Sequence, residues 1–140
     1  MTNDTIPPRI HVLAKPTGST CNLQCAYCFY LKKEALYPGS RFRMSDEVLE
    51  NYISQLIASH RTDQVTVAWQ GGEPTLMGVD FYRRAIALQE KHRRPGMTFE
   101  NTLQTNGTLL NDAWCQRLKA AGVMIVSLSL DGASAAVHDD

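Results

Sequence analysis

Residues 64–75 read QVTVAWQGGEPT, and the change of character halfway through this stretch governs how the rest of the chain is read. Val65, Val67 and Trp69 recur at every second position, the period of a strand with one buried face. The strand then runs into Gly71-Gly72 and Glu73-Pro74, which cannot continue it. The same plan recurs along the chain. Ile10 to Lys15 (IHVLAK) predicts a short strand ended by Pro16 and Gly18, and a strand over 98–105 ends in Asn106-Gly107. The apolar run Val123 to Leu130, broken only by Ser127 and Ser129, predicts a strand buried on both faces that ends in Asp131-Gly132.

Helices fill the intervals. Ser45 is an N-cap with Asp46 and Glu47 in the first turn, and Val48, Leu49, Tyr52, Ile53, Leu56 and Ile57 share one face. Met44 precedes the cap and is placed to staple onto Leu49. Asp80 is the expected cap of a second helix carrying Phe81, Tyr82, Ala85, Ile86 and Leu88, stopped by Pro95-Gly96. Asn111 caps a third, with Trp114, Cys115, Leu118 and Ala121 inward and Gly122 as C-cap. Strands alternating with helices demand parallel pairing and right-handed crossovers. Each strand runs into a polar loop, and in a β/α barrel the loops at the carboxyl ends of the strands build the active site. The expected fold is therefore α/β, a partial barrel of about four strands and three helices with its site at that face.

The 140 residues are 44% hydrophobic and 20% charged, with 14 basic side chains balancing 14 acidic ones. A chain of this size and composition buries enough surface for a real core. Zero net charge argues for neither a nucleic-acid nor a membrane partner, and Arg83-Arg84 and Lys91 to Arg94 read as solvated helix faces. Residues 1–9 form a polar tail and 10–140 a core unit; the start, MTNDTIPPRI, lacks a secretory pattern, and no apolar run approaches the ~18 residues of a membrane helix. The expected location is the cytoplasm. There, clustered cysteines are metal ligands or redox groups more often than disulfides.

Three of the four cysteines fall in CNLQCAYCFY, residues 21–30, as Cys21, Cys25 and Cys28. Three readings compete for this C-x-x-x-C-x-x-C spacing. A structural zinc needs four ligands, yet Cys115 sits on an apolar helix face where it reads as core, and His11, His60, His92 and His138 have no favourable spacing. A disulfide leaves an odd thiol. A 4Fe-4S cluster held by three thiolates fits best, and it leaves one iron open for another molecule. Phe29 and Tyr30 follow the loop and are expected to shield such a cluster. Trp69, Trp114 and Phe99 read as core.

With an aromatic Tyr27 directly before the third cysteine and WQGGEPTL after the second strand, the chain resembles the radical S-adenosylmethionine (SAM) superfamily. The resemblance implies that Cys21, Cys25 and Cys28 bind a 4Fe-4S cluster whose open iron is chelated by SAM. Reductive cleavage then yields a 5′-deoxyadenosyl radical. The glycine pair suits a close backbone approach to the methionine part, and Glu73 offers a carboxylate for its ammonium group. By the same resemblance Gly72 makes a backbone contact, Tyr27 reaches the adenine and Ser129 lies near the ribose or carboxylate. Gln70, Gln104, Thr105 and Asn106 are candidates for lining the cavity, with satisfaction of loop backbone groups as the alternative.

KPTGSTCNLQCAYCFYLKKEALYPG, MSDEVLENYI, WQGGEPTLMGVDFYRRAIALQEKH, NTLQTNGTLLNDAWCQRL and SLDG are similar to the amino-terminal part of anaerobic sulfatase-maturating enzymes, from His11 to His138. That family implies oxidation of a sulfatase cysteine or serine to Cα-formylglycine, with a sulfatase polypeptide as partner and a flavodoxin or ferredoxin as electron donor. It also implies a six-stranded partial barrel and a carboxyl-terminal domain with two further 4Fe-4S clusters and an aspartate base. The chain stops at Asp140, so it is expected to be a fragment: that domain, the base and an arginine after His138 are missing, and Ala133 replaces the usual proline. No catalytic residue is expected within it, and its last strand is expected to be an uncovered edge. Two other functions fit less of the pattern: another radical SAM peptide-modifying maturase, and a non-catalytic zinc-binding module.

Overall fold

In the computed structural model, which describes residues 9–122 and 125–130, the strands form a single parallel sheet in chain order. They are β1 (Leu13–Ala14), β2 (Gln64–Trp69), β3 (Thr98–Thr105) and β4 (Ile125–Leu128). Ala14 lies opposite Trp69, Trp69 opposite Leu103 and Thr105 opposite Leu128, so all four carboxyl ends share one edge. Helices α1 (Asp46–Ser59), α2 (Val79–His92) and α3 (Asp112–Ala121) are the crossovers; α1 packs on α2 and α2 on α3.

Alternation along the strands divides the sheet's two faces. Val65, Val67 and Trp69 of β2, with Asn101, Leu103 and Thr105 of β3, are buried, whereas Thr66, Glu100, Thr102 and Gln104 at the intervening positions keep some exposure. Trp69 centres the core, in edge-to-face contact with Tyr52 (5.8 Å), Phe81 (5.5 Å) and Tyr82 (5.8 Å). Full burial of each such ring contributes about 1.5–3 kcal/mol. Two polar intrusions are paired: Gln89 and Asn101 exchange amide hydrogen bonds of 2.9 and 2.8 Å, and Trp69 Nε1 donates to Asn101 Oδ1 at 3.3 Å.

The caps at Ser45 and Asn111 form as expected: Ser45 Oγ accepts from Val48 N at 3.2 Å and Asn111 Oδ1 from Trp114 N at 2.9 Å. Gly122 ends α3 at φ +88°. Met44 packs against the core that holds Leu49. Other expectations need correction. The cap of α2 is Gly78 at φ +79°, not Asp80, because a 3₁₀ turn over Pro74–Met77 brings the chain into the helix two residues earlier; Asp80 sits in the first turn, 3.5 Å from Arg83. Val48 is exposed beside the cap. Cys115 is exposed rather than core, since only Leu118 of α3 is buried.

The outer strands differ from their predicted extents. Only Leu13 and Ala14 of the expected Ile10 to Lys15 strand pair with β2, and Ile10, Val12 and Leu13 stay exposed. The run expected to be buried on both faces is open: Ile125, Val126 and Leu128 are 42%, 41% and 55% exposed. Among the described residues β4 has a strand neighbour only on its β3 side. The 1–8 part of the polar tail, Val123, Met124, Asp131-Gly132, Ala133 and His138 lie outside the described residues. No helix among the described residues is long and apolar enough to cross a membrane.

Candidate functional site

The three loops that leave β1, β2 and β3 meet at the shared carboxyl edge, and backbone groups stitch the first two together. Gly72 N donates to Gly18 O and Glu73 N to Thr20 O, both at 2.8 Å. A Cβ on Gly72 would stand 2.0 Å from Thr20 O and 2.5 Å from Thr20 C, and one on Gly71, at φ +120°, 3.0 Å from Gly18 O. The glycine pair is thus demanded by the chain's own Thr17 to Thr20 turn, which delivers the backbone to Cys21.

Glu73 is the second fastening. Its side chain is fully buried, and Oε1 accepts from Thr75 N (3.0 Å), Thr75 Oγ1 (2.6 Å) and Thr105 Oγ1 (2.6 Å), while Oε2 accepts from Asn106 N at 2.8 Å. This carboxylate accepts from neighbouring N–H and O–H donors and joins the β2 loop to the β3 loop. Burial and the Glu73 charge both push the Tyr82 phenol upward, so it stays neutral and donates to Pro74 O at 2.7 Å.

The third fastening reaches the cysteine loop. Asn22 Nδ2 donates to Thr108 Oγ1 at 2.8 Å, and Asn106 Nδ2 donates to Asn22 Oδ1 at 3.0 Å and approaches Cys21 Sγ at 3.7 Å. Leu23 N donates to the same sulfur at 3.4 Å. Cys21, Cys25 and Cys28 are all free thiols, half-buried, and a turn with Cys28 N on Cys25 O (3.0 Å) holds the latter two. Tyr27 and Phe29 are 68% and 78% exposed, so Phe29 does not cover the loop as expected; Lys15 Nζ lies 3.9 Å over the Tyr30 ring. Lys15, Ser19 and Tyr30 line, with Tyr37, Phe42 and Arg43, a cavity of approximately 530 Å³. At the far end of the edge Gln104 Nε2 donates to Ser129 Oγ at 3.3 Å, and Ser129 N to Thr105 O at 2.9 Å.

Of the strand-end candidates, Thr105 serves its loop, accepting from Gly107 N at 3.1 Å and donating to Glu73. Gln70 is half-buried, its N–H on Ala14 O at 2.9 Å. Asn22 and Thr108 carry no signal in the sequence except that Asn-Gly-Thr suits a turn closed by the asparagine side chain. Among the described residues no three His, Cys, Asp or Glu side chains converge as a ready metal cage. The donor set still fits an iron-sulfur cluster: three soft, unpaired thiols on one short loop, at the edge where the strand-end loops meet. Zinc would need a fourth ligand, and the remaining cysteine lies far along the chain on α3.

Residues 16–140 match the family described as the Radical SAM superfamily, and the chain belongs to it. Within that superfamily it is 44% identical over 128 residues to a serine-type anaerobic sulfatase-maturating enzyme of Klebsiella aerogenes, covering 90% of this chain and 30% of the relative. A cysteine-type anaerobic sulfatase-maturating enzyme of Clostridium perfringens is 38% identical over 129 residues, 89% of this chain and 34% of its own length. The structure of native anSMEcpe with bound AdoMet and Cp18Cys peptide superposes with a TM-score of 0.76 at 39% identity, over 90% of this chain and 32% of the other. The chain therefore spans about a third of the length of the relatives it matches. Four parallel strands with three crossover helices agree with the partial barrel expected from the sequence.

Proposed function

We propose that this chain is the cluster- and SAM-binding part of a radical SAM oxidoreductase that converts a cysteine or serine of a sulfatase to Cα-formylglycine. The observation that carries the reading is the three-thiol loop held against the GGEP and TNG loops, in a chain so similar to sulfatase-maturating enzymes across nearly its whole length. When bound, a 4Fe-4S cluster supplies one electron to SAM, whose cleavage yields the radical that takes hydrogen from the substrate.

The chain's own residues have distinct parts in this reading. Cys21, Cys25 and Cys28 are the cluster ligands, and half-burial of their thiols limits access of water to the site. Gly72 offers backbone to the methionine portion of SAM, Tyr27 its ring to the adenine and Ser129 its hydroxyl to the ribose or carboxylate. Glu73, buried and hydrogen-bonded, contributes by fixing the loops that shape the SAM site. The peptide partner is a sulfatase segment, and a flavodoxin or ferredoxin supplies the electron. The proton acceptor is an aspartate outside these residues.

The test is anaerobic reconstitution with iron and sulfide, followed by electron paramagnetic resonance with and without SAM. A reduced 4Fe-4S signal whose shape changes with SAM, lost in Cys21→Ala, Cys25→Ala and Cys28→Ala but kept in Cys115→Ser, supports the reading. One equivalent of zinc with no iron or sulfide refutes it. Aldehyde formation on a sulfatase peptide, read by mass spectrometry with the full-length enzyme, SAM and reductant, decides the substrate; an unchanged peptide sinks that part.

A further inference from the structure

The side chain of Asn106 does more than its turn requires. Its Oδ1 accepts from Thr108 N (3.0 Å) and Thr108 Oγ1 (2.8 Å), the arrangement of a turn closed by a side-chain oxygen. Because Thr108 N is a donor, the oxygen must face it, which settles the amide's orientation and turns Nδ2 the other way. There Nδ2 meets Asn22 Oδ1 at 3.0 Å and Cys21 Sγ at 3.7 Å. Asn22 Nδ2 donates back to Thr108 Oγ1 at 2.8 Å, so every donor in the ring meets an acceptor. The backbone N–H of Asn106 is fixed in turn by the buried Glu73 carboxylate. A serine or aspartate would close the turn equally well; neither offers an N–H to the sulfur.

We propose that Asn106 is a positioning residue for Cys21, whose side-chain N–H reaches the sulfur across 85 residues of chain and raises the reduction potential of the cluster that Cys21 ligates. The inference rests on the reading of Cys21 as a cluster ligand. Hydrogen bonds to ligand sulfurs are among the determinants of iron-sulfur potentials, and a donor stabilises the more negative, reduced state more than the oxidised one. Leu23 N, at 3.4 Å, supplies the same sulfur from within the loop, so Cys21 collects donors from both sides. The backbone N–H of Thr108, which no side-chain substitution there removes, and Asn22 Oδ1 hold the amide in place.

The experiment is a potentiometric titration of the anaerobically reconstituted protein, followed by electron paramagnetic resonance, on the parent and on Asn106→Ser, Asn106→Asp and Thr108→Val. Asn106→Ser keeps an acceptor for the turn but loses the N–H. It should retain the parent's iron content while its equilibrium constant for reduction falls about tenfold, 59 mV for a one-electron couple. Asn106→Asp, which adds a charge, should fall further, and Thr108→Val, which leaves the donor, should stay within threefold of the parent. An unchanged potential in Asn106→Ser overturns the inference. So does an equal fall in Thr108→Val, or loss of the cluster from both Asn106 variants, since the residue then merely holds the loop. Absence of iron from the parent overturns the ligand reading itself.

Discussion

Gly72 and Tyr52 show how much a single position can depend on contacts that its neighbours in sequence do not reveal. The Cβ of Gly72→Ala would land on the carbonyl of Thr20, and both partners are backbone, so neither can swing aside. The substitution should cost about 1–3 kcal/mol, as overpacking does, and should weaken iron uptake because the same turn feeds Cys21. Chemical denaturation and iron content together check this. Tyr52 presents the opposite case: its hydroxyl is buried without a hydrogen-bond partner among the described residues, so Tyr52→Phe should leave stability unchanged or raise it by up to about 1 kcal/mol at pH 7. Burial pushes the Tyr52 phenol up to about 12. The folded state therefore resists ionisation, and its advantage is complete below the unfolded value near 10 and lost as pH rises through about 12. Over that window the unfolding free energy should fall by at most about 1.4 kcal/mol per pH unit for this group, and Tyr52→Phe should remove that share of the slope.

At the scale of elements, the carboxyl ends of β2 and β3 are joined by backbone pairing and by Glu73. In Glu73→Gln one carboxylate oxygen becomes an amide NH2 group that cannot accept from its present donors, Asn106 N or the Thr75 and Thr105 groups. A loss of about 1–3 kcal/mol is expected from the donors left unpaired. Hydrogen exchange should locate the loosening at Asn106 and Thr108, with α1 unchanged; uniform loss of protection would contradict this role. Elements whose ends are capped locally were the most legible in the sequence. Ser45 and Asn111 act within three residues of themselves, so their roles follow from local pattern alone. Asp80 misled because the 3₁₀ turn before Gly78 depends on how Tyr82 holds Pro74 O, a contact the periodicity does not contain.

At the scale of the whole molecule, α1, α2 and α3 cover one face of the sheet, and among the described residues β4 has no strand beyond it, with Ile125, Val126, Leu128 and Leu130 exposed. An apolar outer strand with unpaired backbone groups is a template for association. The chain should self-associate with rising concentration in sedimentation velocity, and Val126→Lys should reduce that tendency without unfolding the sheet. An equally associated variant would place the sticky surface elsewhere. Burial on both faces was expected of a strand so apolar, and among the described residues that burial is not found.

By itself the sequence determined the order of strands and helices, the caps, the polar strand-end loops and the three-cysteine spacing, because each depends on residues within a turn or a pleat of one another. The tertiary structure alone decided what the loop residues face. Gly72 fits against Thr20, Glu73 takes the donors of Thr105 and Asn106, and Asn22 meets Asn106 at a separation of 84 positions. Such partners are brought together by parallel strand register, which sets all the carboxyl ends on one edge, and no local period records which side chains will meet there.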